Sequence, residues 1–262
     1  MEKLSFINRR GQKIVVNVRQ AKDQAGLVFV MHGFGGFKDQ DQIQAIGESF
    51  FEKNYTTVLF DTANTLGESE GRVEDGSLTS YYQDLEDVIA WSETRDWYQE
   101  PFILAGHSMG SFCIAYYAEN YPEKVLAIAP FSPVISGKFL DEAMIRRNPA
   151  VWEKWRQTGW LEVPSNSKPG AFRRSPWSVV ADWDQYDLIP QANKLNMPVL
   201  IIVGQNDTST PVYQVEKFFQ ALPGIKEMHV IDGAEHTFRT VEHFAEIKKI
   251  IFFWLDKMEK WR

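Results

Sequence analysis

The fold of this protein is decided by the stretch FILAGHSMG, residues 102–110. Its first four residues, Phe102–Ala105, form a continuous apolar run, which is typical of a buried strand. A helical pattern follows over Met109–Tyr121. The two glycines and the central Ser108 between these elements therefore predict a sharp strand-to-helix turn that exposes the serine hydroxyl.

The residues of this turn have the properties that a nucleophilic serine needs. Gly106 and Gly110 have no side chains, so the strand and the helix can approach each other closely. The backbone N–H of Met109 lies at the predicted helix N-terminus, where it can stabilise a developing negative charge. We therefore identify Ser108 as the candidate nucleophile. The alternative is a serine that only forms a turn.

A serine hydroxyl needs a base that is held by a third group. In folds built around such a turn, an acid and then a histidine follow the serine along the chain. His236 fits this order, because it lies in DGAEHTF, residues 232–238, between the last predicted strand and the last helix. Parallel sheets bind their ligands at this carboxyl end of the strands. The other histidines precede the turn, lie within it, or fall in a predicted strand or helix: His32, His107, His229 and His243.

Asp207 is the candidate acid. It lies in GQNDTSTP, residues 204–211, directly after the predicted strand Val199–Val203. A carboxylate at this place can fix the tautomer of the imidazole and stabilise the imidazolium that forms during reaction. Four other aspartates are rivals, three near residue 185 and one in the turn before His236: Asp182, Asp184, Asp187 and Asp232.

A glycine-rich stretch supplies a second candidate donor for negative charge. HGFGG, residues 32–36, follows the predicted strand Leu27–Met31. Glycines let the backbone turn and present its N–H groups inward. We expect the N–H of Phe34 to pair with that of Met109 as an oxyanion hole. We interpret His32 as a structural hydrogen-bonding residue rather than a proton carrier.

The rest of the chain predicts an α/β fold. Short apolar runs alternate with longer helical patterns, which is the signature of a mostly parallel central sheet flanked by helices. Leu4–Ile7 and Ile14–Val18 predict an antiparallel hairpin at the start, and helical spacing recurs in Leu78–Trp97 and Phe238–Lys257. The predicted buried strands are Leu27–Met31, Thr57–Phe60, Phe102–Ala105, Val125–Ala129, Val199–Val203 and Met228–Ile231.

One segment, residues 136–185, breaks this alternation. We expect helix and loop but no strand there. It holds five of the nine tryptophans: Trp152, Trp155, Trp160, Trp177 and Trp183. Such long segments in a compact domain are usually functional lids or lie outside the fold. We interpret it as a helical cap, or lid, inserted after Val125–Ala129 into a core of residues 1–135 and 186–262. The alternative is a structural insertion that packs on the core.

The aromatic density of this segment predicts an apolar acyl or aromatic group beneath it. The candidate substrate contacts are Trp152, Trp155, Trp160, Phe172 and Trp177; alternatively, these side chains anchor the cap to the core. The stretch from Lys138 to Arg174 also carries eight basic against four acidic residues, a local net charge of +4. This charge could attract an acid such as a substrate carboxylate. The alternative is a solvated helix face.

Composition and charge exclude several classes of protein. With 262 residues, 44% hydrophobic and 24% charged, the chain is an ordinary globular protein. Its net charge of −7 argues against a general nucleic-acid binder. The longest apolar runs fall short of the roughly 18 residues that a membrane helix needs, and the first residues lack the pattern of a secretory signal. We therefore expect no integral membrane association.

The single cysteine, Cys113, cannot form an internal disulfide, which fits a reducing cytoplasm. Its place five residues after Ser108 predicts a core residue rather than a second nucleophile. The sequence has no metal-ligand spacing, phosphate loop or dinucleotide motif, so we expect no metal and no cofactor. The expected partner is a small-molecule ester, and assembly as a homodimer is left open.

Together, these segments resemble the α/β-hydrolase superfamily over nearly the whole chain. Within it, the sequence is similar to the capped esterase and lipase-like group. That group includes carboxylesterases, cinnamoyl (feruloyl) esterases, monoacylglycerol lipases and serine aminopeptidase-like members. The resemblance implies a catalytic triad of Ser108, Asp207 and His236, with Phe34 and Met109 as the oxyanion hole.

The resemblance also implies a serine carboxylesterase that acts through an acyl-enzyme on small to medium acyl esters, aromatic ones included. Monoacylglycerol lipase, thioesterase and peptidase activity on the same scaffold stay open, as does a small-molecule receptor. One loop departs from the group. Relatives commonly show a Gly-x-Gly-x-Ser turn after the strand that corresponds to Thr57–Phe60. Here DTANTLGES, residues 61–69, lacks the first glycine, so we expect a loop of different shape.

Overall fold

The computed structural model of the chain describes residues 1–165, 168 and 170–261, with side chains to residue 258. Strands in the described ranges are β1 Glu2–Ile7, β2 Lys13–Arg19, β3 Gly26–Met31, β4 Tyr55–Phe60, β5 Phe102–His107, β6 Val125–Phe131, β7 Trp160–Pro164, β8 Phe172–Pro176, β9 Val199–Gly204 and β10 Lys226–Ile231. Helices are α1 Asp41–Phe51, α2 Leu78–Ser92, α3 Met109–Asn120, α4 Gly137–Arg147, α5 Pro149–Thr158, α6 Ser178–Trp183, α7 Val212–Ala221 and α8 Val241–Trp261.

Eight of these strands form one sheet in the order β1-β2-β4-β3-β5-β6-β9-β10. The pairs β1–β2 and β2–β4 are antiparallel, and all pairs from β4 to β10 are parallel. The predicted hairpin and the mostly parallel sheet are therefore confirmed. Because the parallel strands share one direction, the loops that follow them all emerge at one edge of the sheet.

Both faces of the sheet are covered by helices, as the apolar strands require. In β3, Leu27, Phe29 and Met31 belong to the apolar cluster that contains α2 and α3. Val28 and Val30, which alternate with them, belong to the opposite cluster, which contains α1 and α8. Side chains of a strand point alternately to its two faces, so a continuous apolar run is what a sheet buried on both sides needs.

The turn between β5 and α3 is as sharp as the motif predicts. Ser108 adopts φ 56° and ψ −118°, a conformation that L-residues rarely occupy. Close packing holds it there: a Cβ on Gly106 would lie 2.7 Å from the backbone of Gly110. A Cβ on Gly110 would lie 2.5 Å from the carbonyl oxygen of His32. The two glycines thus allow the turn to pack against the neighbouring loop.

Strand β5 is longer than the apolar run indicated. It continues through Gly106 and His107, which pair with Pro130 and Phe131 of β6 in the parallel ladder. Ser108 N–H then donates to the carbonyl of Phe131 at 2.9 Å. The ladder therefore anchors the turn up to the serine itself.

The expectation that residues 136–185 contain no strand is wrong. Strands β7 and β8 form an antiparallel pair in which Leu161 lies opposite Ser175 and Val163 opposite Arg173. Each strand is only five residues long and ends in a proline, Pro164 or Pro176. Prolines are tolerated in edge strands, which do not have to pair with a further strand. Strands this short show too few alternating residues to be recognised in the sequence.

Residues 136–185, here called the cap segment, contain α4, α5, β7, β8 and α6, all outside the eight-stranded sheet. The ends of the segment meet: Ser136 bridges Asp187, and the N–H of Gly137 donates to the carbonyl of Tyr186 at 3.1 Å. The indole N–H of Trp155 donates to the carbonyl of Ser175 at 3.1 Å and joins α5 to β8. The division into core and cap domains at these residues stays a prediction.

Substituting Gly106→Ala should destabilise the protein by about 1–3 kcal/mol, because the new methyl group would overlap the first turn of α3. Activity should fall at the same time, since Ser108 must move. Urea denaturation and esterase assays check both effects. Gly11→Ala is the matched control: it lies in the β1–β2 hairpin with open space around it, so it costs only the strain of its positive φ. Equal activity in the two variants would contradict the packing argument.

Candidate active site

The loops at the carboxyl edge of the sheet bring three distant side chains together. His236, in the loop between β10 and α8, has its Nε2 3.0 Å from the Oγ of Ser108. Its Nδ1 lies 2.8 Å from the Oδ2 of Asp207, which follows β9. The hydroxyl, the imidazole and the carboxylate therefore form one chain of hydrogen bonds, in the arrangement that activates a serine.

Asp207 is fixed by its own loop. Its Oδ1 accepts the backbone N–H groups of Ser209 and Thr210 at 2.8 and 2.9 Å, and its Oδ2 accepts the Thr210 hydroxyl at 2.8 Å. Burial alone would raise the pKa of Asp207, but the charge and hydrogen bond of His236 outweigh it and lower the pKa to about 2. The carboxylate is therefore ionised at any ordinary pH and holds one orientation of the imidazole.

His107, the residue before the serine, supports the histidine loop. Its Nε2 lies 2.7 Å from the backbone carbonyl of His236, and the two rings are 4.8 Å apart between centroids. Burial, and then the proximity of His236, lowers the pKa of His107 to about 3. A neutral ring with its proton on Nε2 donates to that carbonyl. His107 is thus a positioning residue, which the sequence analysis missed because only its place inside the motif marked it.

His32 makes the contacts of a structural residue. Its Nδ1 lies 2.8 Å from the carbonyl of Gly33, and its Nε2 accepts the N–H of Thr62 at 3.1 Å. Burial lowers the pKa of His32, so the ring stays neutral. These bonds join the glycine-rich loop after β3 to the loop after β4.

The glycine-rich loop packs against the serine. A Cβ on Gly33 would lie 2.9 Å from the Cβ of Ser108, so this close approach requires glycine. Phe34 and Met109 both line the cavity above the serine, and the backbone N–H of neither has a hydrogen-bond partner among the described residues. Two free N–H donors on residues that line the same cavity as the serine are what an oxyanion hole needs.

In the loop after β4, the missing glycine has a visible consequence. Thr65 occupies its position, and the threonine hydroxyl donates to the carbonyl of Gly36. Behind the same loop, the hydroxyl of Tyr81 accepts the N–H of Gly35 at 3.0 Å. Buried Asp61 accepts the N–H of Lys38 at 2.6 Å and that of Glu68 at 2.8 Å. The departure from the relatives' pattern thus adds a bond that holds the glycine-rich loop.

A cavity of about 620 Å³ lies above Ser108, between the glycine-rich loop and the cap segment. Trp152 and Trp155 line it, as expected, together with Leu161 and Val163 of β7. The structure does not bring the other three expected contacts to it: Trp160, Phe172 and Trp177 are absent from the described lining. Trp160 and Phe172 are 41% and 61% exposed.

Strand alternation explains this difference. The side chains that face the cavity from β7 and β8 are Leu161, Val163, Arg173 and Ser175. Because successive side chains of a strand point to opposite faces, the neighbouring Trp160 and Phe172 point away from it. Trp177 instead packs edge-on against Trp152 and Trp155, with ring centroids 5.0 and 5.2 Å apart. It supports Trp152 and Trp155 from within the cap segment, whereas Trp183, which was not among the expected contacts, lines the cavity.

Two of the rival aspartates are engaged elsewhere. Asp182 accepts the N–H of Thr79 at 3.0 Å, and Asp187 accepts that of Ile189 at 2.9 Å. Cys113 is fully buried, and burial raises the pKa of its thiol, so it is unreactive as a nucleophile. In the part of the chain that the structure describes, no cluster of His, Cys, Asp or Glu could hold a metal ion. No helix there is long and apolar enough to cross a membrane.

One known protein family matches the part of the chain that contains Ser108. The family described as serine aminopeptidase, S33, matches residues 22–185, more than half of the chain. The chain belongs to this family of α/β-hydrolases. The matched region includes the glycine-rich loop, Ser108 and the cap segment, and ends before Asp207 and His236. The assignment of those two residues rests on the hydrogen-bond distances from His236 to Ser108 and to Asp207.

Curated relatives are distant. The palmitoyl-protein thioesterase ABHD10, mitochondrial, is 21% identical in Mus musculus and 23% in Homo sapiens, over 79% of this chain and 67% and 65% of those proteins. The chain thus spans about two thirds of their length. An uncharacterised 31.7 kDa protein from the traX-finO intergenic region of Escherichia coli is 24% identical over 86% of this chain and 88% of its own.

Solved structures show the same fold. Est1E from Butyrivibrio proteoclasticus, solved with ferulic acid bound, superposes with a TM-score of 0.82 at 19% identity, covering 98% of this chain and 99% of that one. Mouse alpha/beta hydrolase domain-containing protein 10 superposes with a TM-score of 0.79 at 15% identity, covering 98% and 100%. At such identities the likeness establishes the fold.

Asp207→Asn should lower kcat on the order of 10⁴-fold, because the amide can no longer hold the required imidazole tautomer. Thr210→Val is the matched comparison. It removes one hydroxyl donor to Asp207 and leaves the carboxylate in place, so its loss should be limited to about tenfold. Steady-state kinetics check both. Similar small losses in the two variants would contradict the role of the carboxylate.

The logarithm of kcat/KM should rise as the pH increases and then level off, since only a neutral imidazole accepts the serine proton. A single step is expected, because burial keeps His32 and His107 neutral. The depressed pKa of Asp207 favours folding above about pH 4, and that stabilisation is lost only as the pH falls towards 2. His229→Gln, on β10, should give the same profile. A flat profile would contradict His236 as the base.

Proposed function

We propose that this chain is a serine carboxylesterase that cleaves esters of small to medium acyl groups, including aromatic ones, through an acyl-enzyme. The observation that carries the proposal is the chain of bonds from Ser108 Oγ to His236 at 3.0 Å and on to Asp207 at 2.8 Å. Ser108 also lines a cavity together with Phe34 and Met109, whose N–H groups have no hydrogen-bond partner among the described residues.

The reaction follows from these positions. His236 Nε2 takes the hydroxyl proton as Ser108 Oγ bonds to the ester carbonyl carbon, and the carbonyl oxygen becomes an oxyanion. The N–H groups of Phe34 and Met109 donate to that oxyanion. When the C–O bond to the alcohol breaks, His236 returns the proton to the leaving oxygen. Water then repeats the sequence on the acyl-serine, releases the acid and restores the hydroxyl.

The cavity supports a limited acyl size. About 620 Å³ is in the range of small-ligand pockets. Trp152, Trp155, Leu161 and Val163 give it apolar and aromatic walls, which suit an alkyl or aryl acyl group. The structural likeness to Est1E, which binds ferulic acid, supports an aromatic acyl group as one of the accepted classes.

A thioesterase is the second candidate. The mammalian relatives are palmitoyl-protein thioesterases, and the same three side chains can attack a thioester carbonyl. The two candidates differ in the acyl length and in the kind of ester that they would prefer. An optimum at long acyl chains, or a preference for thioesters, would favour this second candidate.

A fluorophosphonate probe should label the wild-type protein and should not label Ser108→Ala. Cys113→Ala is the matched control, because it removes the single thiol of the chain and should keep full labelling. In-gel fluorescence and peptide mass mapping give the result. A wild type that binds small esters but never reacts with the probe would instead indicate a receptor that keeps the fold.

A panel of 4-nitrophenyl esters from acetyl to palmitoyl, with cinnamoyl and feruloyl esters, matched thioesters and aminoacyl anilides, tests the substrate class. We expect the highest kcat/KM among oxygen esters with acyl groups of about the cavity's size, and cleavage of aryl acyl esters. Ser108→Ala corrects for background hydrolysis. Dominant anilide cleavage would indicate a peptidase, and a palmitoyl optimum would overturn the proposed acyl size.

A further inference from the structure

We infer that the cavity recognises a carboxylate on the substrate through two arginines of the cap segment, Arg173 and Arg147. This inference rests on the proposed function and adds a substrate class to it: esters that carry a second, anionic group. Neither arginine takes part in the bond-breaking steps, so the proposal concerns binding.

Arg173 enters the cavity beside the glycine-rich loop. It lies on the inward face of β8, two residues before Ser175 and opposite Val163. Its Nη1 is 3.4 Å from the carbonyl oxygen of Phe34, and its guanidinium carbon is 5.4 Å from the centroid of that ring. Its Cδ would be 2.8 Å from a Cβ on Gly35. The guanidinium therefore sits next to the loop that carries one of the two free N–H donors.

The charge of Arg173 is not balanced by the protein. Its Nε is buried without a hydrogen-bond partner among the described residues. Nor does any carboxylate of the described side chains lie within ion-pair distance of it. The undescribed positions nearest along the chain are 166, 167 and 169, which are Asn, Ser and Pro and bring no acid. Arg173 as a whole is half-buried, but its Nε is shielded from solvent, and a shielded charge without a counter-ion is costly unless a ligand supplies one.

Arg147 adds a second positive charge to the same cavity. It ends α4, lines the cavity and donates from Nη1 to the hydroxyl of Ser209 at 2.8 Å. Burial first, and the nearby charge of Arg147 as well, lower the pKa of Arg173. Two like charges that face one cavity repel each other until an anion lies between them.

Arg174, the next residue on β8, is an exposed arginine with which Arg173 can be compared. Arg174 points to the opposite side, where its guanidinium carbon lies 4.0 Å above the ring of Trp160. The hydrogen bond of Arg72 lowers the pKa of Glu74, and the charge of Arg174 adds to this effect. Arg173 and Arg174 therefore differ in burial and in neighbours, although they are adjacent and chemically identical.

A carboxylate is the group that fits. Guanidinium forks bind planar carboxylates through two parallel hydrogen bonds, and the free Nε of Arg173 offers one edge of such a fork. The cavity of about 620 Å³ has room for a small ester with one such group but not for a macromolecule. The carboxylate could belong to the acyl half of the ester or to its alcohol half, and the test separates the two.

The test compares matched charged and neutral esters. For the acyl half, these are 4-nitrophenyl monoesters of glutaric, adipic and suberic acids and their methyl-capped counterparts. For the alcohol half, they are butyryl esters of 3- and 4-hydroxybenzoic acid and of the corresponding methyl benzoates. The quantity measured is the charged-to-neutral ratio of kcat/KM. Differences in intrinsic reactivity cancel when this ratio is compared between variants.

We expect Arg173→Met to lower this ratio roughly 10- to 100-fold, mainly through KM, for the half that carries the recognised carboxylate. Arg147→Gln should lower it less, because that side chain is more exposed. Arg174→Gln is the matched control and should leave the ratio unchanged. An equal loss for charged and neutral esters in Arg173→Met would mean that Arg173 assists the oxyanion instead, and would overturn the inference. An unchanged ratio in both cavity variants would also overturn it.

A binding measurement separates this inference from the proposed function. Calorimetry with adipate and with 4-hydroxybenzoate on the Ser108→Ala protein needs no catalysis. If the wild type neither hydrolyses esters nor reacts with a fluorophosphonate, the proposed function fails. Weaker binding after adding Arg173→Met or Arg147→Gln would still support the anion site. Absence of binding to the parent protein, together with no preference for charged esters, would contradict it. Should Arg173→Met fail to fold, Arg147→Gln gives the same comparison.

Discussion

The strained turn at Ser108 is the constraint on which the rest of the site depends. A positive φ at a serine is unfavourable, and only the close packing of Gly106 against Gly110, and of Gly110 against the loop after β3, holds it. The same packing brings Gly33 against the serine, and the next residue, Phe34, lines the cavity above the hydroxyl. The loops that carry Asp207 and His236 then complete the site from neighbouring strands of the same sheet.

The sheet and the residues near Ser108 could be predicted from the sequence, because both depend on patterns within short stretches of the chain. Apolar runs define strands buried on two faces, and the parallel direction places the following loops at one edge, where Asp207 and His236 lie. The cap segment was harder to predict. Strands β7 and β8 alternate weakly and end in prolines, so their faces could not be assigned, and Trp160 and Phe172 were expected in a cavity from which they point away. The support that His107 gives to His236 depends on a contact across 129 residues.

The cap segment combines two kinds of side chain with different tasks. Four of its tryptophans pack edge-on against one another, and three of these, Trp152, Trp155 and Trp183, line the cavity. Its β7–β8 pair presents Leu161, Val163 and Arg173 on the same inward face. An apolar wall with a half-buried cation suits a substrate that is mostly apolar and carries one anionic group. The excess of basic residues in this segment indicates little by itself, but Arg173 lines the cavity with a buried Nε that has no hydrogen-bond partner among the described residues.

The most direct test of the central claim is peptide mass mapping after reaction with a small fluorophosphonate, in the wild type and in His236→Ala. The account predicts a single adduct on Ser108 in the wild type and its formation at least about a hundredfold slower in the variant, because the base is gone. An adduct on another residue, or equal rates in both proteins, would contradict the claim that His236 activates this serine.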